Sequence, residues 1–157
     1  MLKKYLFIFF LSMVPIIELR GAIPFAVNWE LNYWTSLTVC AIGNMLPVPI
    51  IYLFARKVLH WGADKKYIGK FFRFCIEKGE RGGQKLMKRA GRGGLFVALM
   101  LFVGIPVPGT GAWTGTLAAS FLNMGIRSTV TAVSLGVVIA GIIMGVARTG
   151  VFSIFGI

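Results

Sequence analysis

Apolar runs dominate this chain, and what breaks them differs from one run to the next. The first run, Tyr5 to Val14, follows Met1-Leu2-Lys3-Lys4 and resembles the start of a signal peptide. Ser12-Met13-Val14-Pro15 is a poor cleavage site, so the run is expected to remain as a helix shorter than a full span. The next stretch, Pro15 to Val27, is apolar apart from Glu18 and Arg20 and is punctuated by Pro15, Gly21 and Pro24. Two ionisable groups in mid-span are costly, and a span needs about 20 mostly apolar residues. Two half-helices meeting at a Gly/Pro break therefore fit residues 1–29 better: a re-entrant hairpin with Glu18 and Arg20 near its turn. Trp29, Tyr33 and Trp34 then form an aromatic belt. A conventional span runs from there to Leu59, kinked where Pro47 and Pro49 remove backbone donors.

Residues 63–78 change the pattern. Ile68, Phe71, Phe72, Cys75 and Ile76 recur at helical spacing, with Asp64, Lys65, Lys66, Arg73 and Glu77 on the other face. That predicts an amphipathic helix lying flat on anionic headgroups and ended by Gly79 and Gly82-Gly83, with a further basic turn or two to Ala90. Gly93 to Val107 is apolar again. Gly104 to Thr116 is then so rich in Gly, Pro and Thr that an unbroken helix is disfavoured, which makes it the second hairpin candidate. Ser128 to Val146 is the last span, and its Gly141 and Gly145 offer a close-packing face for another helix or another subunit.

Composition decides the environment. The 157 residues are 57% hydrophobic and only 14% charged, too few charges to solvate a soluble domain's surface and too much apolar content for disorder. The net charge is +12. Between Arg56 and Arg92 lie twelve of the seventeen basic residues and three of the five acids, a local net charge of +9 flanked by apolar runs. This fits one basic cytoplasmic loop of a membrane protein rather than a nucleic-acid-binding face. Cys40 and Cys75 are 35 residues apart and His60 is the single histidine. No disulfide framework, metal site or cofactor motif is indicated, and both cysteines are expected to serve packing. No nucleophile set or Walker sequence points to an enzyme.

The halves match in order at a shift of 93: Val14-Pro15 with Val107-Pro108, and Gly43 with Gly136. Paired broken segments are the best sequence pointer to a transporter binding site. If each hairpin returns to its side of entry, the halves lie in opposite orientations. Within them, Glu18 is the candidate proton-coupling group, since shielding from water favours the protonated carboxyl. Arg20 is the candidate anion contact. The competing reading is a structural ion pair of Glu18 with Arg20 or Arg127. Gly109, Thr110, Gly111, Trp113 and Thr114 offer amides and hydroxyls that could cradle an anion, or else small residues that let half-helices pack. Asn44 could bond across to the hairpins or patch the backbone freed by the prolines. Arg127 either borders the substrate path or snorkels to the interface.

Two stretches carry a resemblance. Val14-Pro15-Ile16-Ile17-Glu18-Leu19-Arg20-Gly21-Ala22-Ile23-Pro24 and Pro106-Val107-Pro108-Gly109-Thr110-Gly111-Ala112-Trp113-Thr114-Gly115 look like the signatures of the small multidrug export protein family. That family is similar to the DedA superfamily of bacterial membrane proteins. The resemblance implies two opposed re-entrant hairpins and, from some DedA members, flipping of undecaprenyl phosphate. Gly43-Asn44, Tyr52 and Arg56 also resemble a DedA pattern, but an acid usually stands where Asn44 does, and the second hairpin here lacks the usual arginine.

The expectation is an all-α polytopic membrane protein of the bacterial inner membrane. It forms a single membrane domain with two inverted repeats, residues 1–59 and 93–157, each a re-entrant helical hairpin plus a transmembrane helix. A basic amphipathic linker, 60–92, joins them. The expected function is a proton-coupled transporter or flippase of an amphipathic or lipid-phosphate substrate. The alternatives are an exporter of lipophilic cationic drugs and a non-transporting membrane-organising protein. Expected partners are membrane lipids, an anionic lipid carrier or drug as substrate, and further copies of the chain as a candidate partner, with no nucleic acid. A competing architecture has four full spans, 5–28, 33–59, 93–117 and 126–147.

Overall fold

The computed structural model describes the chain except for Ile16, Pro108, Gly109, Gly156 and Ile157, with residues 75, 79, 86, 87 and 149–155 described by backbone alone. Seven helices follow in order among the described residues: α1 Leu2–Met13, α2 Glu18–Asn28, α3 Tyr33–Met45, α4 Pro47–Ala63, α5 Gly69–Gly104, α6 Ala112–Phe121 and α7 Ile126–Phe155.

The run from Tyr5 to Asn28 is not one straight helix. It breaks after Met13, and α2 folds back along α1. Phe7 meets Phe25 and Trp29 at ring separations of 6.1 and 5.3 Å, and the Lys4 ammonium lies 5.8 Å from the Trp29 ring. The start of α1 thus sits beside the end of α2, an antiparallel pair that reverses between Met13 and Glu18. The second broken segment repeats the design. The last turns of α5 lead through residues 105–111 into α6, whose Gly115 packs on Val103 and Leu99 of α5.

Asn32 starts α3 by accepting the Thr35 N–H at 3.1 Å, the usual satisfaction of a free first-turn donor. The expected proline kink is the junction of α3 and α4: Pro47 opens α4, and Leu46 keeps helical angles, so the two form one bent rod. That rod, Tyr33–Ala63, and the Ile126–Arg148 part of α7 are long and apolar enough to cross a bilayer, with mean hydropathies of 1.8 and 2.4. Ile42, Ile50, Leu53, Phe54, Leu135, Val138 and Ile142 point outward from them. An apolar outer surface of this extent suits acyl chains and not water.

The rod and α7 run antiparallel. Tyr33 donates to the Gly141 carbonyl at 2.5 Å and packs on Gly145, and Leu37 packs on Gly141. Further along, the Tyr52 hydroxyl donates to the Met124 carbonyl. The small face of Gly141 and Gly145 is therefore filled within the chain, by α3.

Backbone hydrogen bonds recur at the shift of 93. After α2, Trp29, Glu30 and Leu31 donate to Phe25, Val27 and Ala26; after α6, Leu122, Asn123 and Met124 donate to Ala118, Ser120 and Ala119. Glu30 and Asn123 are both left-handed, with φ of 55° and 56°. Gly43 and Gly136 are also equivalent. A Cβ on Gly43 would stand 2.6 Å from the Phe9 carbonyl of α1, and one on Gly136 would stand 2.7 Å from the Met100 carbonyl of α5.

One expectation needs correction. Helix α5 does not end at Gly79 or Gly82-Gly83 but continues to Gly104 with a single sharp kink at Gly91, φ 67° and ψ −178°. Gly83 serves close approach instead, since a Cβ there would stand 2.5 Å from the Leu122 carbonyl. The amphipathic arm before Gly91 also divides its apolar residues: Phe72 packs on Gly62, while Phe71 and Phe74 face outward. The last span likewise extends beyond Ser128–Val146 at both ends. Cys40 is free and buried, as expected of a packing residue, whereas the Cys75 side chain lies outside the described residues. His60 is exposed beside Trp61.

Candidate functional site

The two turns meet. Glu18 opens α2 in the left-handed region, φ 51°, a conformation that costs an L-residue about 1–2 kcal/mol. From there its carboxylate reaches the start of α6. Oε2 accepts from the Ala112 N–H and Oε1 from the Trp113 N–H, both at 3.0 Å. The first amides of a helix have no partner within it, and the helix dipole makes that end positive. A carboxylate that is only 6% exposed is stabilised there by both effects. Gly111 makes the approach possible, because a Cβ on it would overlap the carboxylate.

Arg20 does the converse. Its guanidinium donates to main-chain carbonyls at the end of α5 and in the following turn: Val103 and Ile105 at 2.9 Å, Thr110 at 3.1 Å, and Val107. The Val103 carbonyl is one of the acceptors a helix leaves unpaired at its negative end, and the others belong to the turn that follows. Thr110 braces the same turn by sharing its hydroxyl between Ile105 and Val107, at 2.8 and 2.9 Å. The Thr114 hydroxyl donates to the Gly111 carbonyl at 3.2 Å. An acid and a base from the first hairpin thus terminate two helices of the second. Neither expected ion pair of Glu18 forms; the single ion pair among the described residues is Arg81–Glu77 on the surface, at 3.6 Å.

Behind this latch lies a cavity of about 10 Å³, walled by Glu18, Leu19, Arg20, Asn44, Gly111, Val137 and their neighbours. Glu18 corresponds to Gly111, Leu19 to Ala112 and Asn44 to Val137 at the shift of 93, so the cavity sits where the halves face each other. Each polar side chain in this wall comes from the first half. Asn44 is 2% exposed, and its Oδ1 has no hydrogen-bond partner.

In front of the latch a groove of about 830 Å³ opens. Glu18 and Arg20 line it together with Phe25, Trp113, Leu117, Met144 and other mostly apolar residues. The Trp113 Nε1 is buried without a partner. A long apolar cleft with a few convergent polar groups is the usual form of a small-molecule site. No group of three or more His, Cys, Asp or Glu capable of holding a metal occurs among the described residues.

Of the residues singled out in the sequence, Glu18, Arg20, Asn44, Thr110, Gly111, Trp113 and Thr114 converge at this junction. Gly109 lies outside the described residues. Arg127 is exposed in the first turn of α7, ten residues before Val137 and so about 15 Å from the cavity along the axis. Sequence reasoning missed Val137 and the amide of Ala112. Both sit at the shift of 93 from Asn44 and Leu19, so extending that register would have found them.

No curated protein and no solved structure matches the chain. Residues 18–143, from the latch glutamate to the last span, match the family model described as "Putative small multi-drug export protein". The match covers most of the chain, including the whole of the first spanning helix, the second turn and most of the second spanning helix, so the chain is a membrane protein that belongs to this family.

Proposed function

We propose that the chain is a multi-pass inner-membrane exporter of amphipathic, cationic compounds, driven by proton entry at Glu18. The observation that carries this reading is a carboxylate at the head of a long apolar and aromatic groove, held there by two main-chain amides. A lipophilic cation suits those walls: the Phe25 and Trp113 rings offer cation–π faces, and Glu18 offers the counter-charge. Protonation of Glu18 removes that counter-charge and the charge-assisted hold on α6. Release of the compound and loosening of α6 then follow from one event.

The halves act as inverted repeats, each hairpin entering and leaving on its own side of the bilayer. The recurrent caps, the equivalent glycines and the antiparallel course of the rod and α7 support this arrangement. Irregular backbone at Val14 and Pro15 and at 105–107 is tolerated at membrane depth because the opposite hairpin covers it. Motion of one half against the other gives alternating access. The excess of basic residues between Arg56 and Arg92 supports a cytoplasmic position for that loop.

The test is transport in proteoliposomes with an imposed pH gradient and a fluorescent lipophilic cation. Wild-type protein should accumulate the cation and Glu18→Gln should not, whereas equal accumulation by both would overturn the reading. A lipid-phosphate substrate is the second reading, favoured by the presence of Arg20 in the groove. It requires Arg20 to leave its carbonyls for the phosphate, so flipping of a labelled polyprenyl phosphate that is lost in Arg20→Lys would support it. If neither substrate moves, the non-transporting role is what remains.

A further inference from the structure

The arm of α5 before Gly91 carries a row that neither the latch nor the groove uses. Tyr67, just ahead of the helix, is followed on one face by Phe71, Phe74, Lys78, Arg81, Lys85 and Lys88, in alternating steps of four and three residues. Such steps keep side chains on one face of a helix. Tyr67, Phe71 and Phe74 are 96, 67 and 57% exposed. The four cations that follow are exposed and border an open depression of about 560 Å³ together with Gly82 and Gln84. The row is therefore aromatic in its first half and cationic in its second.

The opposite side of the arm is already occupied. Phe72 packs on Gly62 of α4, and Gly83 lies against Leu122 at the turn between α6 and α7. Both ends are also fixed. Behind the arm, the last turn of α4 carries Trp61, and ahead of it Gly91 turns the chain directly into the apolar last turns of α5. The arm therefore packs across the end of the bundle, against α4 and the α6–α7 turn, with its aromatic and cationic row on the outer side.

We infer that this face is a binding site for an anionic bilayer surface. Its aromatic half sinks to the acyl boundary, and Lys78, Arg81, Lys85 and Lys88 contact lipid phosphates. Charge complementarity selects the lipid, since Gly69 to Ala90 holds seven basic residues against Glu77 and Glu80. The Arg81–Glu77 pair, solvated on both sides, is a weak competitor. An RNA or acidic protein would match the cations but leave Phe71 and Phe74 exposed to water. Cation–π contact of Lys78 with Phe74, at 5.6 Å, ties the two halves where the row changes character. The arm would make the position of the α6–α7 turn sensitive to lipid charge, through Gly83 and Leu122.

The test uses the full chain in nanodiscs of phosphatidylcholine, with or without phosphatidylglycerol, in a Cys75→Ser background. A thiol placed by Phe74→Cys is reacted with a water-soluble maleimide. Adding phosphatidylglycerol should slow the reaction by at least about fivefold, the effect of one cation near an anionic surface. Changing Lys78, Arg81, Lys85 and Lys88 together to Gln should remove the difference, and Lys85→Gln alone should reduce it. Equal rates in the two discs would overturn the proposal, and so would protection by added RNA or an acidic polymer but not by lipid. Transport plays no part in this readout, so its failure and that of the export reading are separable.

Discussion

The Glu18 carboxylate fills the space that a side chain on Gly111 would need, and from there it takes the Ala112 and Trp113 amides. One missing methyl group thus lets an acid of the first hairpin terminate a helix of the second. Gly111→Ala should expel the carboxylate and cost about 2–4 kcal/mol, the size of losing charge-assisted bonds to a buried group. Denaturation in mild detergent measures the loss. Combining it with Glu18→Gln should add little, because both remove the same contact.

Arg20 is matched to its turn by geometry as well as charge. A planar guanidinium can serve several carbonyls at once, and an ammonium cannot hold the same fork. Arg20→Lys should keep the fold but lose about 1–2 kcal/mol, and Arg20→Ala should lose about 2–3 kcal/mol, since the guanidinium serves four carbonyls, of which Ile105 and Val107 keep the Thr110 hydroxyl. Proteolysis within 105–111 should rise in the same order.

Glu30 and Asn123 make the clearest test of equivalence between the halves. Both hold the left-handed conformation that glycine adopts without penalty. Glu30→Gly and Asn123→Gly should each stabilise the protein by about 0.5–1 kcal/mol. A gain at one site with a loss at the other would contradict the shared cap.

Gly91 holds backbone angles that only glycine tolerates. Nothing lies within 4 Å of where its Cβ would be, so any cost of Gly91→Ala comes from the backbone alone. We expect about 1–3 kcal/mol of destabilisation. Helix α5 should straighten, seen as a longer distance between spin labels on the arm and on α4.

Much of this was legible in the residues. Breaks at Pro15 and between Gly104 and Gly111 follow from elements that cannot continue a helix, and Gly43 and Gly136, matched at the 93-residue shift, each lie against the backbone of a neighbouring helix. The convergence of Glu18 with Gly111 was not legible. Each had a local reading, an ion pair or an anion cradle, and only the fold brings the acid of one segment to the amides of the other. Gly82 and Gly83 misled for a related reason: a glycine that ends a helix and one that admits a neighbouring backbone look alike in sequence. Phe71 and Phe72 show the limit of periodicity, which marks apolar positions without saying whether protein or lipid covers them.

The arrangement in the bilayer can be decided by labelling intact cells with a membrane-impermeant thiol reagent, using Leu2→Cys and Lys85→Cys separately in a Cys75→Ser background. Because α1 and α2 fold back on themselves, the N-terminus and the basic arm lie at opposite ends of the bundle. The thiol at position 2 should react and the one at position 85 should be protected. Equal protection of both would place the two ends on one side and contradict the paired hairpins.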